Sequence, residues 1–259
     1  MAEPTIRKQP KGTMNILISN DDGFQAPGIL ALYEALKDLG RVDVVAPEHN
    51  NSAKSNALTL HSPLYVHQAS NGFRYVNGTP ADCVHIALTG LLDYKPDLVV
   101  SGINNGANMG DDTIYSGTVG AAMEGYLFGV PAIAFSQVEK GWDHIDAAAM
   151  KARELVQKML VQAAAGCAPW LLNVNIPNLP RHAIKGLKVC RQANARWVEE
   201  FTEARDPRGQ KYYWLTGRFV NDDIREDTDI RALEQGYISV VPSMHDLTHY
   251  PAIPGLSAL

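Results

Sequence analysis

The chain contains the stretch Met14-Asn15-Ile16-Leu17-Ile18-Ser19-Asn20-Asp21-Asp22-Gly23, an apolar run that ends in two acidic residues and a glycine. Such a run predicts a buried strand, and Gly23 predicts a turn after it. Asp21 and Asp22 are therefore expected at the carboxyl end of the first strand, where open α/β sheets bind ligands. Because neighbouring carboxylates repel each other, a hard divalent cation such as Mg²⁺ or Mn²⁺ would relieve the pair. An ordinary Asp-Gly turn has the same sequence, so this stretch alone leaves both interpretations open.

Strand and helix patterns alternate from Met14 to about Ala165. Apolar runs predict strands at Met14–Ser19, Val42–Ala46, Asp97–Ser101, Ala132–Ser136 and Trp170–Ile176. Helical periodicity predicts helices at Ile29–Leu39, Pro80–Leu92, Thr118–Phe128 and from about His144 to Ala165. This alternation favours an α/β fold with a parallel, doubly wound sheet and helices on both faces.

The overall composition is that of a soluble globular protein, and a length of 259 residues fits one large α/β domain. A net charge of −5 argues against a stable nucleic-acid partner, and no apolar run approaches the ~18 residues of a membrane span. Residues 1–13 lack the apolar core of a secretory signal and are expected to form a disordered extension. Cys83, Cys167 and Cys190 show no metal-binding spacing, and their odd number favours a reducing, cytoplasmic location.

Residues 196–234 carry seven basic and ten acidic residues around an aromatic strand pattern at Lys211–Val220. A charged stretch of this kind is usually a solvated face. An aromatic strand within it also suits an extended hairpin that packs on another subunit. We therefore interpret residues 14–259 as one catalytic domain in which 196–234 is an oligomerisation segment.

Polar stretches follow several of the predicted strands and should meet at one edge of the sheet. A Ser from the loop over residues 46–56 and an Asn from the loop over residues 101–110 could add neutral oxygens to the acid pair. Ser116-Gly117-Thr118 precedes an apolar helix and offers the amides and hydroxyls that bind phosphate at helix N-termini. Taken singly, each of these features is equally explained as a helix cap or a turn.

Competing motifs lack their distinguishing residues. The sequence has no G-x-G-x-x-G, no Walker A motif and no G-x-S-x-G elbow. His245 and His249 have i,i+4 spacing without the glutamate of a zinc protease, and surface or packed histidines are the commoner explanation.

Several motifs, in order along the chain, resemble the SurE family (survival protein, 5′/3′-nucleotidase). They are residues 14–23, Gly78-Thr79-Pro80-Ala81-Asp82-Cys83, Val100-Ser101-Gly102-Ile103-Asn104, Ile114-Tyr115-Ser116-Gly117-Thr118-Val119, Asn173-Val174-Asn175-Ile176-Pro177, and Thr228-Asp229 ahead of Gly236-Tyr237-Ile238-Ser239-Val240. The resemblance covers nearly everything after Met14. It implies a Rossmann-like three-layer α/β/α core with a C-terminal oligomerisation segment, assembled as a homodimer or homotetramer.

The resemblance also implies an activity and a site. The expected activity is divalent-metal-dependent hydrolysis of nucleoside 5′- and 3′-monophosphates, with exopolyphosphatase side activity and one Mg²⁺ or Mn²⁺ ion per subunit. The expected catalytic residues are Asp21 and Asp22, and the implied metal ligands are Asp21, Asp22, Ser52 and Asn104. The implied phosphate-binding residues are Asn20, Asn108, Ser116, Gly117 and Thr118.

One departure from the family pattern and several alternatives stay open. The family's second loop usually has Arg and Gly around the ligand Ser, whereas this chain has Asn50-Asn51-Ser52-Ala53, which leaves the substrate preference open. The nucleophile is either a metal-bound water or an Asp. A receiver-like signalling module also places an acidic pair after its first strand, but it is about half this length and needs a late Lys, for which Lys140 is the nearest candidate. A sugar-nucleotide-binding transferase is the third alternative.

Overall fold

The computed structural model describes residues 14–165 and 168–256; the predicted extension 1–13 and Cys167 lie outside the described residues. The strands are β1 Met14–Ser19, β2 Gly40–Pro47, β3 Val66–Gln68, β4 Arg74–Val76, β5 Leu98–Asn105, β6 Ala132–Gln137, β7 Leu171–Ile176, β8 Leu187–Val189, β9 Ala195–Arg205, β10 Lys211–Asn221 and β11 Ile238–Ser243. The helices are α1 Pro27–Leu36, α2 Pro80–Ile86, α3 Asp112–Tyr115, α4 Gly117–Leu127, α5 Ile145–Ala164, α6 Asp229–Glu234 and α7 Ile253–Leu256.

Within the described residues a nine-stranded sheet has the order β3-β4-β2-β1-β5-β6-β7-β11-β8. The strands from β4 to β7 in this order run parallel, whereas β3 is antiparallel to β4 and β11 is antiparallel to β7. The predicted parallel core is therefore confirmed. Toward each edge of the sheet there is one antiparallel strand pair, β3 with β4 and β11 with β7. Because β1, β5, β6 and β7 are adjacent and parallel, their carboxyl ends meet at one edge.

Helices cover both faces of the sheet. Alternate residues of each central strand point to opposite faces, so Val100 packs with α1 and α5 while Val99 packs with α2 and α4. The apolar side chains of these strands are fully buried, which is typical of parallel sheets covered on both sides. The predicted α/β fold with three layers is confirmed.

Strand β5 extends four residues beyond the predicted end at Ser101. The extension crosses an irregularity between Ser101 and Asn104, where the register against β6 shifts. Gly102 has φ +128° there, and a Cβ at this position would lie 2.3 Å from the Phe135 carbonyl oxygen. Glycine therefore allows the strand to continue, and Asn104 lies within a strand rather than in a loop.

Two helices differ from their predicted bounds by more than one residue at an end. Helix α1 begins at Pro27 instead of Ile29, because proline favours the first helical position. The helix predicted over Pro80–Leu92 is α-helical only to Ile86 and continues as a π-helix over Ala87–Leu91. Across the described ranges, none of the helices combines the length and the apolar character that a bilayer span requires.

Strands β9 and β10 form a separate antiparallel ribbon. The odd-numbered residues of both strands share one face, since Phe201 lies opposite Leu215 and Trp197 opposite Phe219. We call this the aromatic face; it consists of Trp197, Phe201, Tyr213, Leu215 and Phe219. Leu215 is 93% exposed and Phe201 66% exposed. A role of this segment in oligomerisation stays a prediction at this point.

Candidate active site

Six of the predicted site residues line one cavity of about 340 Å³ at the carboxyl edge of the sheet. They are Asp21, Asp22, Ser52, Asn104, Asn108 and Ser116. The cavity is also lined by Asn50, Ala53, Asn105, Ala107, Asp112, Tyr115 and Lys140. These residues lie far apart in the sequence, and the parallel sheet brings them together.

Asp21 is the second residue after β1 and is 4% exposed. The hydroxyl of Thr118, at the start of α4, donates a hydrogen bond to its Oδ1. Burial raises the pKa of the Asp21 carboxyl to about 6, and the negative charge of Asp22 also raises it. The carboxyl group is thus held in place by a neutral donor, in a site where its negative charge is destabilised.

Asp22 joins two loops. Its Oδ2 accepts the Asn105 backbone N–H at 3.1 Å, and its Oδ1 accepts Nδ2 of Asn50 at 3.3 Å. Burial raises the pKa of Asp22, while the hydrogen bond from Asn105 and the positive charge of Lys140 lower it in part. The two acids therefore share one cavity but have different partners.

The loop that follows β2 brings Ser52 to the acid pair. The Asn51 backbone N–H donates to the Asp21 carbonyl at 2.7 Å, and the Ser52 hydroxyl donates to Oδ1 of Asn50 at 2.7 Å. Asn50, at the position where the chain departs from the family pattern, thus links Asp22 to Ser52. Ala53 has φ +60°, a conformation that costs a non-glycine residue roughly 1 kcal/mol.

Asn104 and Asn105 shape the opposite wall. Nδ2 of Asn104 donates to the Gly106 carbonyl at 2.9 Å, which fixes the orientation of the side-chain amide. The Oδ1 atom of Asn104 takes no part in that hydrogen bond. Oδ1 of Asn105 accepts the Gly141 N–H at 2.9 Å and so anchors the segment that follows β6. That segment places Lys140 at the cavity.

The predicted phosphate-binding residues divide into two groups. Ser116 lines the cavity, and its hydroxyl accepts the Val119 N–H as the N-cap of α4. Thr118 and Gly117 lie behind Asp21: the Thr118 hydroxyl is engaged with its carboxylate, and a Cβ at Gly117 would lie 2.8 Å from the Asp21 Cβ. Asn20 is fully buried, and its Nδ2 donates to the Gly23 carbonyl at 2.8 Å, which shapes the turn.

Seven cavity residues were not among the predicted site residues, and they include Asn50, Asp112 and Lys140. Lys140 comes shortly after the end of β6, as Asp21 does after the end of β1. Since ligands bind at the carboxyl ends of parallel strands, its position in the sequence could have indicated a place at the site. Asn50 was visible only as a departure from the family pattern. Asp112 lies at the start of the short helix α3, and nothing in the sequence distinguishes it from other acids.

The donor set suits a hard cation. Among the described residues no group of three or more His, Cys, Asp or Glu is arranged so that these side chains alone could hold a metal ion. A cation in this cavity would therefore rely on the carboxylates of Asp21 and Asp22 with neutral oxygens from Ser52 and Asn104. All four donors are oxygens, which Mg²⁺ and Mn²⁺ prefer. Burial raises the pKa of both acids, so their ionised forms lack stabilisation that a cation would supply.

Comparison with known proteins identifies relatives over most of the chain. The family profile described as "Survival protein SurE" matches residues 16–199. A protein named "5′-nucleotidase SurE" from Polaromonas naphthalenivorans (strain CJ2) is 63% identical over 248 residues, covering 93% of this chain and 95% of that protein. One of the same name from Variovorax paradoxus (strain S110) is 63% identical over 237 residues, covering 92% of this chain and 94% of that protein.

A solved structure agrees with the sequence relatives. The crystal structure of the SurE protein from Aquifex aeolicus superposes with a TM-score of 0.82 at 43% sequence identity. The match covers 94% of this chain and 98% of that one. The two chains therefore share their fold over most of their length.

Proposed function

The chain belongs to the SurE family, and we propose that it hydrolyses nucleoside 5′-monophosphates in the cavity beside Asp21 and Asp22 with one divalent metal ion. As a 5′-nucleotidase it is a phosphoric monoester hydrolase. The site is supported above all by two adjacent carboxyls with raised pKa values, one buried and one partly buried, which open onto a cavity lined by neutral oxygens. A phosphate ester and a cation would complete this arrangement of charge.

The metal would be Mg²⁺ or Mn²⁺, held by the oxygens of Asp21, Asp22, Ser52 and Asn104. When bound, such an ion neutralises phosphate charge and lowers the pKa of a coordinated water. Asn50 would orient two of these groups, because it bonds both Asp22 and Ser52. The Thr118 hydroxyl would keep the Asp21 carboxylate in a single orientation.

Other residues of the cavity would bind the phosphate. Asn108 and Ser116 present polar groups, and Lys140 contributes positive charge. Phosphoryl transfer passes through a loose transition state, so catalysis depends mainly on positioning and electrostatic stabilisation. Gly117, Thr118 and Asn20 would act from behind the cavity by fixing Asp21, the start of α4 and the turn at Gly23.

We extend the proposal to further substrates, assembly and compartment. Nucleoside 3′-monophosphates and polyphosphate are included as substrates because of the family resemblance. A homodimer or homotetramer would form through residues 196–234, whose aromatic face is exposed on the single chain. The buried free thiols of Cys83 and Cys190 suit a reducing cytoplasm.

Phosphate release from a panel of nucleoside 5′- and 3′-monophosphates tests the activity. Parallel reactions contain Mg²⁺, Mn²⁺ or EDTA, with a simple phosphate ester and polyphosphate for comparison. We expect release that requires the metal and favours nucleotides. Asp22→Asn should remove at least ~99% of the activity while the fold is retained, because transition-state charge stabilisation commonly contributes a factor of about 100 or more.

The opposite results would support the other function classes. Metal-dependent binding without release, together with a stable aspartyl phosphate after acetyl phosphate treatment, would favour the receiver-like module. Nucleotide binding that gives turnover only with an added acceptor would favour a transferase. Full activity of the Asp22→Asn protein would refute the proposed site.

A further inference from the structure

We propose that Asn173 and Asn175 of β7 are positioning residues that hold the backbone of Asn108, so that the Asn108 side chain can bind the substrate phosphate. Both asparagines are buried in the sheet and neither lines the cavity. The inference rests on the proposed function, because it assigns a role within the same site.

The two side chains bind both backbone polar groups of Asn108, its N–H and its carbonyl oxygen. Oδ1 of Asn175 accepts the Asn108 backbone N–H at 2.8 Å. The Asn108 carbonyl oxygen accepts Nδ2 of Asn173 at 2.9 Å and Nδ2 of Asn175 at 3.0 Å. These bonds join positions 65 and 67 residues apart in the sequence. The backbone of the loop is thus fixed to the sheet at the residue that reaches the cavity.

The Asn108 side chain is held by the next strand. Its Nδ2 donates to the Ser136 hydroxyl at 2.7 Å. Ser136 lies opposite Asn175 in the sheet and opposite Asn104 on its other side. A primary amide has two N–H groups, so one remains for an acceptor such as a phosphate oxygen. Strands β6 and β7 together therefore hold Asn108, which lines the cavity.

Burying two asparagine side chains in a strand lowers the stability of the fold, so their presence calls for a specific role. Asn173 and Asn175 are 1% and 0% exposed, and the neighbouring residues Leu172, Val174 and Ile176 are apolar. Oδ1 of Asn173 has no hydrogen-bond partner, and a buried unsatisfied acceptor costs about 1–3 kcal/mol. Apolar residues at these positions would avoid that cost. The pair is therefore better explained by what its amides bind than by packing.

The rest of the loop has independent anchors. The Gly110 N–H donates to Asp229 at 3.4 Å, and the Asp111 N–H donates to the Ala195 carbonyl at 2.8 Å. Loss of the asparagine pair should therefore change the position of Asn108 while the segment that follows remains attached.

The test replaces Asn173 and Asn175 by leucine, singly and together. A matched control is Ser239→Ala, since Ser239 lies opposite Asn175, is fully buried and has an unpartnered hydroxyl. Three measurements are made on the Mn²⁺-loaded protein: kcat and KM with 5′-AMP, the affinity for inorganic phosphate by calorimetry, and hydrogen exchange of the peptide that contains Asn108. The affinity for Mn²⁺ is measured by titration of the metal-free protein.

We expect the double variant to bind phosphate about tenfold more weakly, with a similar rise in KM, which is the fold-change expected from the loss of one good hydrogen bond. Exchange at Asn108 should accelerate, while the Mn²⁺ affinity and the Ser239→Ala control stay within about twofold of the unmodified protein. If the double variant does not fold, the single Asn173→Leu protein is used, which removes one of the two donors to the Asn108 carbonyl.

Unchanged phosphate affinity in a folded variant with faster exchange at Asn108 would overturn the proposal, because Asn108 would then be mobile without consequence. Parallel loss of Mn²⁺ and phosphate binding would also overturn it, because the asparagine pair would then support the whole carboxyl edge of the sheet and not Asn108 in particular. Failure of the proposed function is a separate result: the unmodified protein would then release no phosphate, while phosphate calorimetry would still compare the variants.

Discussion

Asp21 shows how a single residue can reduce stability in exchange for a binding site. Its pKa is raised to about 6 by burial, so the folded state favours the protonated form. Below about pH 4 the carboxyl is protonated in both the folded and the unfolded state, and its burial costs nothing electrostatically. Above about pH 6 it is ionised in both states, and the folded state carries the full penalty. A shift of about two units corresponds to about 3 kcal/mol.

Asp21→Asn should therefore stabilise the metal-free protein in a pH-dependent way. Asparagine cannot ionise, and it keeps an oxygen that can accept the Thr118 hydroxyl. In urea unfolding with EDTA we expect a gain that approaches about 3 kcal/mol at pH 8 and disappears near pH 4. Asp146→Asn, on an exposed part of α5, is the control for removing a negative charge. A gain of equal size at every pH would contradict the expectation.

Lys140 is expected to contribute to phosphate binding through its charge. It is exposed at the rim of the cavity, so we expect a moderate effect. Lys140→Met should raise KM for a nucleoside monophosphate about fivefold, equivalent to roughly 1 kcal/mol, with kcat nearly unchanged. The difference should shrink at high salt because the interaction is screened. Lys158→Met, in α5 away from this cavity, controls for net charge, and an equal effect there would exclude a specific role.

Individual site residues differ in how far the sequence could reveal them. Asp21 and Asp22 could be located because an apolar strand and a turn glycine surround them. Ser52 and Asn104 required the family resemblance, since a serine or an asparagine in a polar loop has no distinguishing pattern. The hydrogen bond from Thr118 to Asp21 could not be predicted, because it depends on how closely α4 approaches the end of β1.

At the scale of elements, the active-site edge depends on close contact between α1 and β5. Gly28 lies in the first turn of α1, and a Cβ there would be 1.9 Å from the Ile103 carbonyl oxygen. That carbonyl belongs to the residue before Asn104. The spacing between this helix and this strand is therefore set by the absence of a side chain.

Gly28→Ala should consequently weaken both the fold and the site. The methyl group must push α1 away from β5 or displace Asn104, and overpacking of this kind costs about 1–3 kcal/mol. We expect a lower free energy of unfolding, measured in urea, and a reduced affinity for Mn²⁺. Gly90→Ala is the matched control, because a Cβ at Gly90 would meet nothing within 4 Å. Equal stability of the two variants would show that the contact adjusts without cost.

The predictability of each element follows from its burial. The central strands are continuous apolar runs buried on both faces, so β1, β6 and β7 were predicted nearly to the residue. The exposed three-residue strands β3 and β8 have no comparable pattern and were not predicted. The end of β5 was missed because the irregularity at Gly102 interrupts the alternation that marks a strand.

At the scale of the whole molecule, the β9–β10 ribbon is connected to the active site through its base. The Trp197 side chain lies close to Asp112 and lowers the pKa of its carboxyl in part against burial, which raises it. The Ala195 carbonyl accepts the Asp111 N–H. Asp112 lines the cavity. Contacts that order the ribbon in an oligomer would therefore also order this wall of the cavity. Oligomerisation would in this way affect activity directly.

The aromatic face of the ribbon is the surface that we expect to bury another copy of the chain. Exposed aromatic and apolar residues on one side of a ribbon are typical of an interface. Leu215→Glu places a charge at the most exposed apolar position of this face, opposite Phe201. We expect the molar mass measured by light scattering to fall to that of a smaller species, since burying an unpaired charge costs several kcal/mol.

The matched control for assembly is Thr216→Glu, which adds the same charge on the opposite face of the same strand. It should leave the molar mass unchanged. If the link through Trp197 and Asp112 transmits assembly to the cavity, Leu215→Glu should also raise KM, while Mn²⁺ binding through Asp21 and Asp22 persists. A molar mass that responds equally to both substitutions would place the interface elsewhere. Dissociation with unchanged KM would show that the cavity is complete within one chain.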